Sequence, residues 1–416
     1  MDRAPVSTPA AFPPAPGAGW DRILARLPAR AEARLRAAAA CLLPLAALRI
    51  PVARLHGATR GTGGQACMLV AGPPHGTRYL TDRFFAGTPR REPIGHATIW
   101  QLPGCLRRLR ASADVTVARV DRLSARLLFD DDYLRVPDWV GARLPLPVDV
   151  AALARTSNSI AEDWRKTRVG GWTAEVTQAP ADFDAFYERM YVPYTLARHG
   201  AGAYVKGCHH LRRAFRHGGL LWLSRDGEPV AGAVFEQAGA TLVLEAIGVA
   251  GDGMALRQRG AVAALYVHVI GDAQHRGCTA IDLRGSRPSL ADGLLRYKAK
   301  WGAAVYDKRD DPRLSLLHWN RLDGAVAELL AHTPLVVRGR DGLTAVGFAD
   351  RSPPWTAADL QRLHDRLWMP GLARLGIVSA APLPDATCLP PGLRLVAHAR
   401  VRDRGPRALL AQLAAD

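Results

Sequence analysis

The stretch from Leu220 to Leu283 constrains the fold most, because three apolar runs in it are divided by two short turn signals. Leu220–Ser224, Glu228–Gln237 and Thr241–Val249 each suit a strand, with Asp226-Gly227 and Ala238-Gly239 between them. Such Gly-containing pairs supply the positive φ that tight antiparallel hairpins demand. A Gly-containing loop follows. Ala261–Ala273 is then apolar enough for a buried helix ending near Gly277, and Thr279–Leu283 suits a short buried strand. Ahead of the first strand, Ala181–Met190 reads as an amphipathic helix with Phe183, Phe186, Tyr187 and Met190 on one face. This order points to an α/β (α+β) fold built on mixed, mainly antiparallel sheets.

The rest of the chain is less patterned. Residues 1–18 are Pro/Ala-rich and read as a disordered segment. Trp20–Ala47 reads as helical, with Pro44 as a break. Between Ile50 and Val148, Ala66–Ala71, Arg78–Phe85, Ala97–Leu102 and Val115–Val120 are strand candidates, and Leu102–Ala111 suits a short helix. Beyond Asp310 the pattern predicts a helix at Leu322–Ala331, a strand pair at Leu335–Val337 and Leu343–Phe348, and a helix at Ala357–Trp368. Thr356 and Asp359 form its expected capping pair. The expected division is 1–18 disordered, 19–150 a first unit, 151–350 a second unit with the chemistry, and 351–416 a helical extension.

At 416 residues the chain can bury a sizeable core. Its six cysteines form no Cys-x-x-Cys pair, which favours a reducing compartment and argues against a zinc ribbon or disulfide framework. The net charge of +17 allows an anionic partner: CoA, a nucleotide-linked sugar, tRNA or a lipid headgroup. Only five of the 55 basic residues are lysine (Lys166, Lys206, Lys298, Lys300, Lys308), a skew in line with a GC-rich bacterial genome. The longest apolar run, Ala37–Leu48, has twelve residues broken by Pro44. A spanning helix needs about 20. The expectation is a cytoplasmic protein, with peripheral contact to an anionic inner membrane left open.

The helix–meander–loop–helix–strand order resembles the central half of the GNAT acyltransferase fold. In that fold the loop before the helix takes the pyrophosphate of CoA, because unpaired N–H groups and the helix dipole favour a phosphate there. Arg257-Gln258-Arg259-Gly260-Ala261 resembles that loop, although Val262 stands where Gly or Ala is usual. A second run, Asp282-Leu-Arg284-Gly285-Ser286-Arg287 followed by Tyr297-Lys298-Ala-Lys-Trp301-Gly302, resembles the Fem-type and BioF2-like members of the superfamily. Here Arg284-Gly285 reverses the usual Gly-Arg. Met190-Tyr191-Val-Pro-Tyr194-Thr-Leu-Ala-Arg198-His199-Gly200 is similar to that group's substrate-facing helix and loop. The resemblance implies two tandem GNAT-like units, the first degenerate, and acetyl-CoA or another acyl-CoA as donor, with no metal.

Acyl transfer needs a held carbonyl, a nucleophile and stabilisation of the developing oxyanion. Lys298 is a candidate cation for the oxyanion or a substrate phosphate, with Asp282, Arg284, Ser286, Arg287 and Trp301 around the substrate. Glu245 is a lone charge in an apolar strand, placed opposite Leu244 and Ala246, and is a candidate general base. An edge position or a salt bridge with one of the arginines is the plain alternative for it. His199, expected in a loop, is the rival base, and Tyr194 and Arg198 are candidate substrate contacts. The glycines of Gly57–Gly64 lack a P-loop ending, Cys208-His209-His210 has no metal-ligand partners, and Asp130-Asp131-Asp132 suits a solvated turn. The expected acceptor is an amine or hydroxyl of a small or saccharide-linked molecule. A Fem-type use of aminoacyl-tRNA on a peptidoglycan-precursor-like acceptor, and a non-catalytic binding role in envelope or polysaccharide synthesis, remain as alternatives.

Overall fold

The computed structural model describes residues 49–414 except 201–202, 252, 351–353 and 386–388, and omits the side chain of His199. The expectations for residues 1–18 and Trp20–Ala47 lie outside these residues. The described chain is mixed α/β and divides into two compact units, one of residues 148–279 and one that joins 49–147 with 280–414. The division falls at 147/148 and 279/280. Residues 49–147, however, share a unit with the C-terminal part rather than standing alone, and the stretch 151–350 is divided at 279/280.

The chain opens with β1 (Ile50–Ala58), β2 (Gln65–Ala71), β3 (Arg90–Ala97), β4 (Val115–Asp121), β5 (Leu134–Pro137) and β6 (Val140–Pro145). The Gly-rich segment near Gly57–Gly64 is the β1–β2 turn. Arg78–Phe85, expected as a strand, is instead part of the helix Pro74–Phe84. Pro74 fits its first turn, and buried Thr77, Leu80, Thr81 and Phe84 recur at helical spacing. The aromatic and β-branched content of that run imitates a strand. Ala97–Leu102 is also corrected: β3 ends at Ala97, and the Thr98 carbonyl accepts from Gln101 and Leu102 N–H in the turn that starts the helix Leu102–Leu109.

The unit of residues 148–279 holds β7 (Trp172–Thr177), β8 (Gly218–Arg225), β9 (Glu228–Ala238) and β10 (Thr241–Val249), paired antiparallel in the order β7-β8-β9-β10. Asp226 and Gly227 both take positive φ in the β8–β9 turn, as the hairpin reading requires. The core on one face is Phe183, Phe186, Met190, Leu211, Phe215, Leu220 and Trp222. A glycine notch positions the helical layer. Gly232 pairs with Gly248 across β9 and β10, and a Cβ on Gly248 would lie 2.8 Å from Tyr191 N and 2.9 Å from the Phe186 ring.

The other unit continues with β11 (Ala280–Ser286), β12 (Ala304–Tyr306), β13 (Arg313–Trp319), β14 (Leu335–Arg338), β15 (Leu343–Ala349), β16 (Leu372–Ser379) and β17 (Leu393–Ala397). One sheet runs β3-β1-β2-β4-β13-β5, with β2 and β4 parallel, and β6 pairs antiparallel with β11 and β12. Residues 351–416, expected as a helical extension, contribute β16 and β17 to the sheet β14-β15-β16-β17. The helix Ala357–Leu367 is the crossover that lets β15 and β16 run parallel. Its Thr356–Asp359 capping box is present as expected. Gly248→Ala is expected to lower stability by about 1–3 kcal/mol by forcing the helical layer off β10, measured from the urea midpoint of the full chain.

Candidate functional site

The site begins at an irregularity in β10. Leu244 faces Phe235 and Ala246 faces Val234, so Glu245 is the extra residue of a β-bulge. A bulge breaks strict alternation and re-aims the side chain it contains. Glu245 is buried along with both neighbours, and its side chain is only 1% exposed. A carboxylate in that position needs a partner. The Lys206 ammonium supplies it, with Nζ 2.5 Å from Glu245 Oε2 and donating also to the Glu245 carbonyl at 2.6 Å. His210 Nε2 lies 3.5 Å from the same Oε2, on an imidazole that is half exposed.

Lys206 is held from two sides. Tyr187 OH donates to the Lys206 carbonyl (3.1 Å), and the Lys206 N–H donates to Tyr191 OH (2.9 Å). The two tyrosines are the ends of a π-helical turn, Tyr187–Tyr191, a feature common at functional sites. Tyr191 also stacks on Phe186, and burial pushes its phenol up to about 12. The helix Cys208–Arg216 follows Gly207, buries Leu211, Ala214 and Phe215, and carries His210 in its first turn.

Past β10 the chain turns into a short helix, Met254–Gln258, and then into the helix Ala261–His275. Arg257, Gln258 and Arg259 are exposed, while Gly260 and Ala261 are buried. Gly260 caps the longer helix with φ +96°, and a Cβ there would meet Lys166 Cβ at 2.8 Å. No side chain caps that helix start. Tyr194 is buried against Gly253 of this loop, and its hydroxyl accepts from Arg198 Nη1 at 2.9 Å. It therefore braces the loop, while Arg198 is exposed. His199 is the last residue of the helix Val192–His199 rather than a loop residue, and its side chain lies outside the described set.

The residues read from the second motif belong to the other unit and form a cluster there. Asp282 Oδ1 accepts from Arg284 N–H (2.7 Å) and Oδ2 from Tyr306 OH (2.8 Å). Arg284 takes φ +60°, within a bulge of β11 against β6. A non-glycine residue pays about 1–2 kcal/mol for that conformation. Lys298 holds it in place: Nζ donates to the carbonyls of Arg284 (3.1 Å) and Gly285 (2.9 Å) and to Ser286 Oγ (2.9 Å). Lys298 is 3% exposed, and Ser286 and Trp301 are fully buried. Lys298 and Ser286 thus form an internal pin for the strand end. The Arg287 guanidinium sits 4.2 Å over Trp139, and burial lowers its pKa.

A cleft of about 220 Å³ is lined by Gln178, Pro180, Phe183, Arg212, Phe215 and Arg216. Arg212 pairs with Asp184 and lies 5.1 Å over the Phe183 ring. Residues two positions apart on a helix, such as His210 and Arg212, differ by about 200°, so the cleft lies on the other side of Cys208–Arg216 from His210. Among the described residues no group of three His, Cys, Asp or Glu is arranged to hold a metal, and no helix is long and apolar enough to cross a membrane.

Lys206 and His210 were not among the expected site residues. Lys206 carried a signal, as one of only five lysines, and His210 stood in a triplet read for metal binding alone. Neither lies near Glu245 in sequence.

Residues 154–299 match the family model for an acetyltransferase (GNAT) domain. Similar solved structures include FemX (11% identity over 60% of this chain and 80% of that chain, TM-score 0.34). The C-terminal domain of a lysylphosphatidylglycerol synthetase from Agrobacterium fabrum is another (16%, 72% and 95%, TM-score 0.33). A GCN5-related N-acetyltransferase from Sphaerobacter thermophilus is a third (14%, 60% and 72%, TM-score 0.31). No curated protein matches the chain. The family-model match spans residues 154–299 and not the rest of the chain.

Two outcomes are expected from the site geometry. Because the folded Tyr191 phenol is raised, its stabilisation is complete below pH ~10 and is lost as pH climbs toward about 12. Tyr191→Phe should flatten that alkaline loss in urea midpoints taken from pH 8 to 11. Lys298→Met should cost about 3 kcal/mol, because it strands buried carbonyls, and calorimetric unfolding of the full chain checks this.

Proposed function

We propose that this chain, which carries a GNAT acetyltransferase domain over residues 154–299, transfers an acyl group from an acyl-CoA to an amine or hydroxyl of a small or saccharide-linked acceptor. Acetyl-CoA is the first choice of donor. The observation that carries the reading is the buried Glu245 carboxylate in the β10 bulge, held by Lys206 and faced by His210, just before the Gly260 loop. A proton-accepting group and an anion-binding helix start on consecutive elements are what such a reaction needs.

The residues present fit a pyrophosphate. The left-handed Gly260 lets the chain turn tightly into a fifteen-residue helix whose start no side chain fills, and Arg257 and Arg259 are exposed beside it. Backbone N–H groups of the first turn would hold the phosphate oxygens, and the guanidiniums would add charge-assisted contacts. Bound acyl-CoA supplies the electrophilic thioester. The cluster at Glu245 takes the proton that the acceptor loses, and the buried setting keeps the carboxylate away from competing water.

Binding tests the donor. A ligand that binds only the folded chain adds about 2.7 kcal/mol of stability at 100 times its dissociation constant. Acetyl-CoA should show saturable calorimetric binding, weakened about 10²-fold when Arg257 and Arg259 are both changed to Ala. Binding unaffected by that change would remove the loop from the reading. Loss of transfer activity on RNase treatment would move the donor to aminoacyl-tRNA.

A further inference from the structure

Glu245 is poorly placed to meet an acceptor itself. Its side chain is 1% exposed, and the Lys206 ammonium occupies Oε2 at 2.5 Å. His210 differs in both respects. Its imidazole is half exposed, with Nε2 turned to Glu245 Oε2 at 3.5 Å. An Nε2–H donated to the carboxylate as the contact tightens would leave Nδ1, the other ring nitrogen, as the acceptor. Catalytic hydrogen bonds are often long before substrate binds and tighten afterwards. The charged groups set against the ring are Glu245 from β10 and Lys206 from the preceding segment, with Arg213 one turn on along its own helix.

We infer that His210 is the catalytic base of this acyltransferase, and that Glu245 and Lys206 are positioning residues that fix its tautomer and orientation. This rests on the acyl-transfer reading above. In the step, the acceptor nitrogen or oxygen forms a bond to the thioester carbonyl carbon, and the C–S bond breaks. The acceptor's proton passes to His210 Nδ1. It then leaves for the departing thiolate, which becomes CoA thiol, so no oxidant or further reactant is needed. Lys206 donates to Glu245 Oε2, so the carboxylate is engaged as an acceptor and receives a hydrogen bond from Nε2 rather than the acceptor's proton.

The test uses the full chain, with acetyl-CoA and glucosamine as an amine probe, and follows CoA release against pH. His210→Gln is expected to lower kcat about 10²–10⁴-fold with little change in KM for acetyl-CoA. His210→Ala should recover part of its rate when imidazole is added, which a structural role would not allow. Glu245→Gln should lower kcat less and keep the acid limb of the profile, which His210→Gln loses. A His210→Gln rate within twofold of wild type, or an acid limb that vanishes only with Glu245→Gln, overturns the assignment in favour of Glu245.

A second measurement stands apart from turnover. In ¹⁵N spectra of the unliganded protein, the His210 ring should carry its proton on Nε2 in the neutral form. Glu245→Gln should redistribute it. A proton on Nδ1 in the wild-type chain overturns the inference. Absence of turnover with any acyl-CoA, alongside the Nε2–H tautomer, would instead count against the acyl-transfer reading and leave the pairing of Glu245 and His210 standing.

Discussion

The ion pair between Glu245 and Lys206 is the interaction on which the unit of residues 148–279 turns. A carboxylate withdrawn from water in an apolar strand is tolerable only if a cation meets it at close range, and removing one member of such a pair typically costs 3–5 kcal/mol. Lys206 can reach it because its own backbone is tied down by Tyr187 and Tyr191. Those tyrosines in turn stand where they do because the π turn seats in the Gly232–Gly248 notch. Bulge, notch, turn and lysine are thus one construction, and it fixes a charged group at the edge of the core.

The choice of lysine follows from geometry. The chain uses arginine nearly everywhere, yet lysine stands at both the β10 bulge and the end of β11. At Glu245 the ammonium serves a carboxylate oxygen and the carbonyl of the same residue, and at β11 it serves two successive carbonyls and a hydroxyl. Both are convergent sets of acceptors around a point. A compact ammonium with three donors fits such a pocket, while the planar guanidinium fork does not. One lysine sets a charge beside a titratable group. The other stabilises a left-handed arginine and turns its charge inward.

What the sequence disclosed follows the range of the forces involved. The β8–β10 meander, its hairpin turns, the helix after Gly260 and the Thr356 cap are local, set by residues a few positions apart. Glu245 was visible as a charge among apolar neighbours. Its partners were not, since Lys206 and His210 come from a segment and helix earlier in the chain, joined to β10 only by packing. For Lys298, Ser286 and Trp301 the motif marked the positions but not the direction of the side chains, and all three are buried. The strands β16 and β17 escaped because their partners lie across a crossover helix, so that the helical pattern of Ala357–Leu367 dominated the reading.

The helix Cys208–Arg216 shows how one short amphipathic element can serve two surfaces. Leu211, Ala214 and Phe215 anchor it in the core, and this anchoring sets the reach of everything else on it. On one side His210 approaches the β10 bulge; on the other, Arg212 and Arg216, four residues apart, border the aromatic cleft with Phe183. Because Arg212 is already paired with Asp184, its charge is balanced within the cleft rather than directed toward Glu245. A change at Arg212 therefore alters the cleft while leaving the bulge intact, whereas a change at Leu211 or Phe215 shifts both surfaces together, since the core residues hold the helix against the sheet.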